Sequence, residues 1–539
     1  MRLGAFAIIH ISMNRIRTRV SSAAAYFETQ SLARGLGRVL LVCSVLGVFF
    51  AATFPFDFSL PAQTPWDWRW NPYDPNYSDR TENILFFMPL GFALASMISP
   101  TRRFRWALQI IVALVAGFLL TAGVEWLQQY VSFRDPSLAD LWCNTLGGVL
   151  GAIVYLLVGD HLLRGAARLL LHLKVLSRPA VLAAALALYV SGQVALPFIL
   201  RSAGDMSGWD HNVWLWLGAN ATSNTPWNGN LWNVALADRA ATPEQVLQLA
   251  QGAVPASVLG ESLVGDYRTL GPAPYTDQSA HLSPLTFMQN DVEPAPTTAP
   301  ASVTADQTLR TSLMVAPAIF RIARTSQFTL AMTLATWNQE ERGPAIICTI
   351  AGSEPPFDVV IGQEYTDLTL RLRSGVHGAP QFHLRNVFAD NSKQHITITQ
   401  SNAQTIFYLN GREQGRVEVT PEAKVIWRLY PRGHFRMWIN TYGFRSYAVM
   451  YRLLVFIPFA ALLGAMLATV NWKISGKRLV GIAATVLMAA ALEIVLSLQT
   501  ASGFQVKNLL ISLAVGLLAL GGLAWWRKRS VGKRKVRFG

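Results

Sequence analysis

About eight apolar runs of the length needed to cross a hydrocarbon layer constrain this chain before any motif is considered. They fall near residues 39–56, 84–100, 106–124, 138–158, 180–200, 448–470, 479–498 and 507–526. A soluble core has no use for so many such runs, and 52% hydrophobic against 14% charged residues agrees with a membrane-embedded helical chain. The first 37 residues lack the apolar core and small-residue cleavage pattern of a secretory signal, so the first run is expected to remain as an anchor.

A formal charge of +15 would suit nucleic acid, but the basic residues are placed for a membrane instead. Half of the 46 Lys and Arg lie before the first run, after the second, fourth and sixth, and in the tail after the eighth. Only Glu28 and Asp160 oppose them there. Basic loops stay on the cytoplasmic side. The pattern therefore predicts a multi-pass protein of a bacterial cytoplasmic (inner) membrane, both termini inside, basic loops against anionic membrane lipid, and no nucleic-acid partner. Cys43 and Cys143 sit in or beside apolar runs, which leaves Cys348 alone in the exposed region. Neither a disulfide nor a zinc site is expected.

Between the fifth and sixth runs, residues 201–447 change character. Short alternating stretches such as FTLAMTLATW, LTLRLRSG, HITITQ and TIFYLNG are bounded by Gly, Asn, Asp and Pro, the pattern of an antiparallel β-sandwich. Residues 290–308 read as a long loop. TPEQVLQLAQ reads as a short helix capped by Thr242, with Pro243 in its first position. The fold expected is a membrane all-α helical bundle carrying an inserted extracytoplasmic all-β jelly-roll sandwich. Its parts are a basic cytoplasmic segment (1–37), a five-helix membrane domain (38–200), the sandwich (201–447), three further transmembrane helices (448–526) and a basic tail (527–539).

The chemistry-bearing residues concentrate around the second to fourth runs. Asp140, Asn144, Gly147 and Gly151 recur at helical spacing and form one stripe, where the glycines admit a close neighbour helix. Glu125 and Gln128 share a face of the preceding run, and the short loop between makes the two helices antiparallel neighbours. Arg134 in that loop is the natural counter-charge, able to bridge two carboxylates or hold an anionic group. Arg80 and Asn83 open the second run, Gly91 lies two turns on, and Pro89 removes a backbone donor inside it. The Trp-rich loop WDWRWNPYDPNY just before is suited to the headgroup level. These polar residues are expected to converge at the outer membrane boundary, where ionisable groups mark functional sites. A structural ion-pair network that fixes helix packing is the rival reading.

Asn83 with PLGF (89–92), Glu125 with Gln128, Arg134, Asp140 and NTLGGVLG (144–151) resemble, in order, the pattern of the VanZ-like membrane family over about residues 36–160. That resemblance implies a cell-envelope role, with one member associated with glycopeptide antibiotic resistance, and no settled reaction. Within 201–447, WNGNLWNVALADRAATPEQV and the series ending FYLNG resemble the concanavalin A-like, laminin-G-type lectin/glucanase domain, which implies carbohydrate binding. In that family the W-G-x-hydrophobic strand comes last. Here it comes first, which suggests a sandwich that is permuted or completed by its two chain ends meeting.

No glycosidase carboxylate array, phosphate-binding loop or Gly-x-Ser-x-Gly elbow is present, so no cofactor is implied and catalytic residues stay unassigned. His281, His377, His383, His395 and His434 read as scattered surface residues. The expected function is binding or handling of a lipid-linked, glycan or glycopeptide-type molecule at the polar site. Two other readings remain open: a membrane enzyme using Glu125 or Asp140 as general base on a polyprenyl-linked or lipid substrate, and an adhesion scaffold. Finally, ALEIVLSLQ (491–499) followed by NLLISLAVG (508–516) echoes VEWLQQ (124–129) followed by NTLGGVLG (144–151), either as a duplication or by chance.

Overall fold

The computed structural model describes residues 2–58, 77–98, 105–134, 136–173, 178–200, 205–219, 225–289, 296–354, 357–373, 380–401, 404–430, 435–439, 443–500 and 502–535, with side chains undescribed at 2–27, 77–79, 105, 443–444 and 526–535. The tryptophan-rich residues 66–76, Arg102, Arg103, Lys174, His377 and His434 therefore lie outside the described residues. Two compact units divide the chain, Met1–Ala184 and Ala185–Gly539.

The first unit is helical: α1 (Arg2–Thr53), α2 (Tyr77–Ser96), α3 (Arg105–Gln128) and α4 (Leu138–Val154), which continues through a π turn (Tyr155–Gly159) into α5 (Asp160–His172). Val48 and Ala52 of α1 pack on Phe87 and Leu90 of α2 and Val124 of α3. Helix α6 (Pro179–Ile199) spans the unit boundary. Seven helices among the described residues are long and apolar enough to cross a membrane, where the sequence suggested eight. The second run forms α2, of which only Arg80–Ser96 carries described side chains, a stretch too short to be counted among the seven.

The second unit begins with fifteen described strands. They are β1 (Trp214–Leu217), β2 (Gly229–Ala237), β3 (Leu263–Arg268), β4 (Leu285–Phe287), β5 (Ala301–Val303), β6 (Leu309–Thr311), β7 (Phe328–Thr336), β8 (Ala345–Ala351), β9 (Val359–Glu364), β10 (Asp367–Leu372), β11 (Gln381–Leu384), β12 (Gln394–Ser401), β13 (Gln404–Leu409), β14 (Arg412–Glu418) and β15 (Arg436–Trp438). One sheet runs β15-β11-β10-β9-β8-β1-β6-β4 and the other β14-β13-β12-β7-β2-β3, with β5 paired to β2. Strands β7, β8 and β9 are buried at every position, as central strands covered on both faces must be.

Four helices accompany the sheets: α7 (Pro243–Ala250), α8 (Pro255–Leu259), α9 (Ala316–Thr325) and α10 (Pro421–Leu429). Helix α7 forms where its signals place it. Thr242 and Gln245 satisfy each other's backbone donors in a capping box. Trp227 is 1% exposed, and its indole donates to Gln363 Oε1 at 2.8 Å, tying the start of β2 to β9 of the other sheet.

Several sequence expectations need correction here. The stretch 290–308 is not simply a loop, because β5 forms inside it where Ala301 and Val303 bury against β2. Among the described strands pairing is antiparallel except for β11 and β15, which run parallel, as does the isolated bridge of Pro226 to Ile346. The first and last strands of the domain are not paired with each other: β1 lies inside the eight-stranded sheet and β15 at its edge, with β8 to β11 between them. His383 and His395 are not surface residues, being 1% and 8% exposed within strands. Burial, with the Arg436 charge adding, holds His383 down to about 3, and burial with the Lys393 charge holds His395 down to about 4. His395 is accommodated as a neutral ring between the hydroxyls of Thr333 (2.9 Å) and Thr397 (3.2 Å).

The unit ends in α11 (Gly443–Thr469), α12 (Ile474–Ser497) and α13 (Val506–Lys535), the last running on through the segment read as a tail. Tyr451, Phe456 and Phe459 of α11 pack on Met488 and Leu492 of α12. Tyr189 of α6 joins them, its hydroxyl donating to the carbonyl of Val455 at 2.8 Å.

Candidate functional site

Close helix packing positions the first polar cluster. A Cβ added to Gly91 of α2 would overlap the carbonyl of Gly148 in α4. One added to Gly147 would overlap that of Ile84, and one added to Gly151 that of Met88. Only glycine lets the two backbones approach this closely. Sequence reasoning found Gly91, Gly147 and Gly151 but missed Gly148, which shares the contact. Its signal was the doubled glycine of NTLGGVLG.

That approach brings the polar ends together. Asn83 Nδ2 donates to Asp140 Oδ1 at 2.6 Å, linking α2 to the first turn of α4. Arg80 and Asp140 both lie within electrostatic range of Cys143. Glu125, near the end of α3 and 1% exposed, accepts the backbone N–H of Ser137 at 2.8 Å. Ser137 in turn caps α4, its hydroxyl accepting from Ala139 N at 3.2 Å. The carboxylate of one helix thus satisfies an otherwise orphaned donor at the start of the next. Asp140 and Arg134 lie within electrostatic range of Glu125.

Gln128 and Arg134 also make hydrogen bonds that the sequence did not suggest. Gln128 Nε2 donates to Ala52 O, and Arg134 donates through Nε to Phe54 O and through Nη2 to Ala51 O, each at 3.3 Å. Pro55 follows α1 and cannot continue its ladder, so the last carbonyls of α1 need external donors, and these two side chains provide them. Ser132 N on Asp57 O fastens the same loop to α1.

Asn144 is buried below Asp140, and its Oδ1 has no hydrogen-bond partner among the described residues. The same holds for Thr121 Oγ1, one turn before Glu125 on α3 and fully buried. Thr121 was missed because a lone threonine in an apolar helix carries no pattern. Chemically, the cluster offers carboxylates, amides and a hydroxyl in apolar surroundings, with Arg134 fixed beside them. Among the described residues no group of three or more His, Cys, Asp or Glu is placed to hold a metal ion.

A second buried cluster was missed almost entirely. Arg452 of α11 pairs with Glu422 of α10 and Glu493 of α12. Sequence reading noticed Glu493 and Asn508 in the echo of 124–151, but nothing in the sequence tied Arg452 or Glu422 to them.

These features define a polytopic helical membrane protein whose N-terminal helices gather intramembrane polar groups. Residues 22–159, about a quarter of the chain, match the model of the VanZ/LLP1 family, which covers Asn83, Glu125, Arg134, Asp140 and the glycine contacts. No curated protein matches the chain, and no solved structure matches it.

Proposed function

We propose that the chain is a multi-pass protein of the bacterial cytoplasmic membrane in which the outer ends of α2, α3 and α4 bind or handle a lipid-linked, glycan or glycopeptide-type molecule. Both termini lie in the cytoplasm and residues 201–447 outside it, in keeping with the distribution of basic residues. The two sheets form a jelly-roll sandwich of the concanavalin A-like kind that recognises glycan or protein in the envelope.

The observation carrying this reading is Glu125: a carboxyl group 1% exposed inside an apolar span, beside the Asn83–Asp140 pair and the Oδ1 of Asn144, which has no partner among the described residues. Intramembrane carboxylates are costly and mark ligand or ion pathways by default. Asn83, Asp140 and Asn144 supply hydrogen bonds to a polar headgroup or sugar, while the apolar faces of the same helices accept an acyl or polyprenyl chain. Arg134 supports the site by holding its loop on α1.

The test is mass spectrometry of lipid extracted from the purified chain. The wild type is expected to enrich a glycan- or polyprenyl-linked species over bulk lipid. Glu125→Gln and Asp140→Asn, unfolding at the wild-type temperature, are expected to lose most of it. Equal retention by both variants, or no enriched species at all, refutes the proposal.

A further inference from the structure

The second buried cluster, like the first, is built at a helix-to-helix connection. Glu493 accepts the backbone N–H of Gln505 at 3.1 Å across the α12–α13 connection, as Glu125 accepts that of Ser137 across the α3–α4 connection, and each bond spans twelve residues. In the register that superposes these two bonds, Asp140 falls on Asn508, Asn144 on Ser512 and Gly148 on Gly516. Two of the matched positions lie at helix contacts, Asp140 through its carboxylate and Asn508 through its backbone. Asp140 accepts from Asn83 of α2, and the Asn508 carbonyl accepts from Arg452 Nε of α11 at 3.1 Å. Gly148 lies against α2, and a Cβ on Gly516 would overlap Thr485 of α12 and press on Phe456 of α11. The bond from a helix-end glutamate to the backbone at the start of the next helix thus recurs at α12–α13, in a register four residues away from the one the sequence echo suggested.

The second copy differs in charge. Arg452 is 0% exposed, and its guanidinium serves two carboxylates: Nη1 to Glu422 Oε1 at 3.3 Å and Nη2 to Glu493 Oε2 at 2.8 Å. Nη1 also donates to Ala448 O at 2.8 Å. Two acids on one base leave a formal charge of −1 away from water. Lys424, also on α10, sends its Nζ to Leu200 O, while Arg428 and Lys507 are exposed. A buried net charge is costly unless something compensates it.

Unused oxygens mark where compensation enters. Glu422 Oε2 has no hydrogen-bond partner among the described residues, although the other oxygen of the same carboxyl group holds Arg452. Tyr451 Oη, within electrostatic range of Glu422 and Arg452, and Ser512 Oγ, one turn beyond Asn508, are likewise buried without partners among the described residues. Hard cations take oxygen ligands of this kind. A single excess negative charge balances a monovalent ion and not a divalent one.

We propose that Glu422, Glu493 and the hydroxyl of Tyr451, around Arg452, form a binding site for one monovalent metal cation of the sodium class. Because Glu422 belongs to α10, which follows β14, and the other groups belong to the C-terminal helices, the bound ion fastens the β domain to those helices.

The test follows thermal unfolding of the purified full chain in detergent as NaCl replaces choline chloride at fixed ionic strength and pH. The folding constant is expected to rise roughly tenfold once sodium reaches about ten times its Kd. Glu422→Gln and Glu493→Gln each remove the excess negative charge, so each is expected to abolish the sodium dependence, and either serves if the other does not fold. Equal stability of the wild type in sodium and choline overturns the proposal, as does a sodium dependence that survives in the variants. A response to pH and not to sodium, erased by the same substitutions, assigns the charge to a proton and overturns it equally.

Discussion

Replacing Gly151 by alanine tests whether the α2–α4 contact sets the geometry of the first polar cluster. The new methyl group would overlap Met88 O and lie 2.8 Å from the Met88 carbonyl carbon and 2.9 Å from Phe92 N, all backbone atoms that no side-chain rotation can clear. Ordinary van der Waals contacts begin near about 3.5 Å, so α2 must withdraw by roughly 1.5 Å. Overpacking of this kind costs about 1–3 kcal/mol. The same helix pair holds Asn83 to Asp140 at 2.6 Å, and a withdrawal of that size stretches the bond past its useful range. Losing it adds about 1 kcal/mol, for a total near 2–4 kcal/mol.

Gly117 and Gly123 in α3 provide the control, since a Cβ at either meets nothing within 4 Å. Alanine there is expected to be neutral or to stabilise by up to about 1 kcal/mol through helix propensity. The assay is denaturant or thermal unfolding in one detergent, read as the difference between Gly151→Ala and Gly123→Ala. If the two variants unfold together, α4 does not depend on its glycines for that approach, and the reasoning fails.

Trp227→Phe removes the donor to Gln363 Oε1 and leaves a buried acceptor unpaired, for an expected loss of about 1–3 kcal/mol in chemical unfolding; a loss under roughly 0.5 kcal/mol would contradict the inter-sheet role. His395, held near 4 against the ordinary 6.5, gives the β domain an acid sensitivity of definite sign. The folded state keeps the ring neutral, so below pH 6.5 the unfolded chain takes the proton first and stability falls by about 1.4 kcal/mol per pH unit towards pH 4. His395→Gln is expected to flatten that slope by the same amount in tryptophan-monitored unfolding, and an unchanged acid profile would show that the ring does not govern it.

Much of the architecture was written in one-dimensional patterns. Bilayer-length apolar runs, the period-two alternation of FTLAMTLATW and the Thr242-Pro243 signal each depend on residues near one another in sequence, and each yielded the element it implied. The stripe of Asp140, Asn144, Gly147 and Gly151 was equally legible, because helical periodicity alone places them on one face.

What the stripe would meet was not legible. Which atoms receive Arg134 depends on where α1 ends, 80 residues earlier, and its bonds to the carbonyls of Ala51 and Phe54 were not legible in the sequence. The histidines failed for a related reason: whether His383 and His395 face solvent depends on the sheets that cover them.

Local order in a chain follows from side-chain periodicity and backbone sterics, which the amino-acid sequence of this protein states directly. Long-range electrostatic partnership does not. Glu422, Arg452 and Glu493 are separated by 30 and 41 residues, and only the packing of α10, α11 and α12 makes them a cluster. Coulombic and hydrogen-bond energies turn on distances of a few ångström and on exclusion of water, quantities that exist only once the helices have docked.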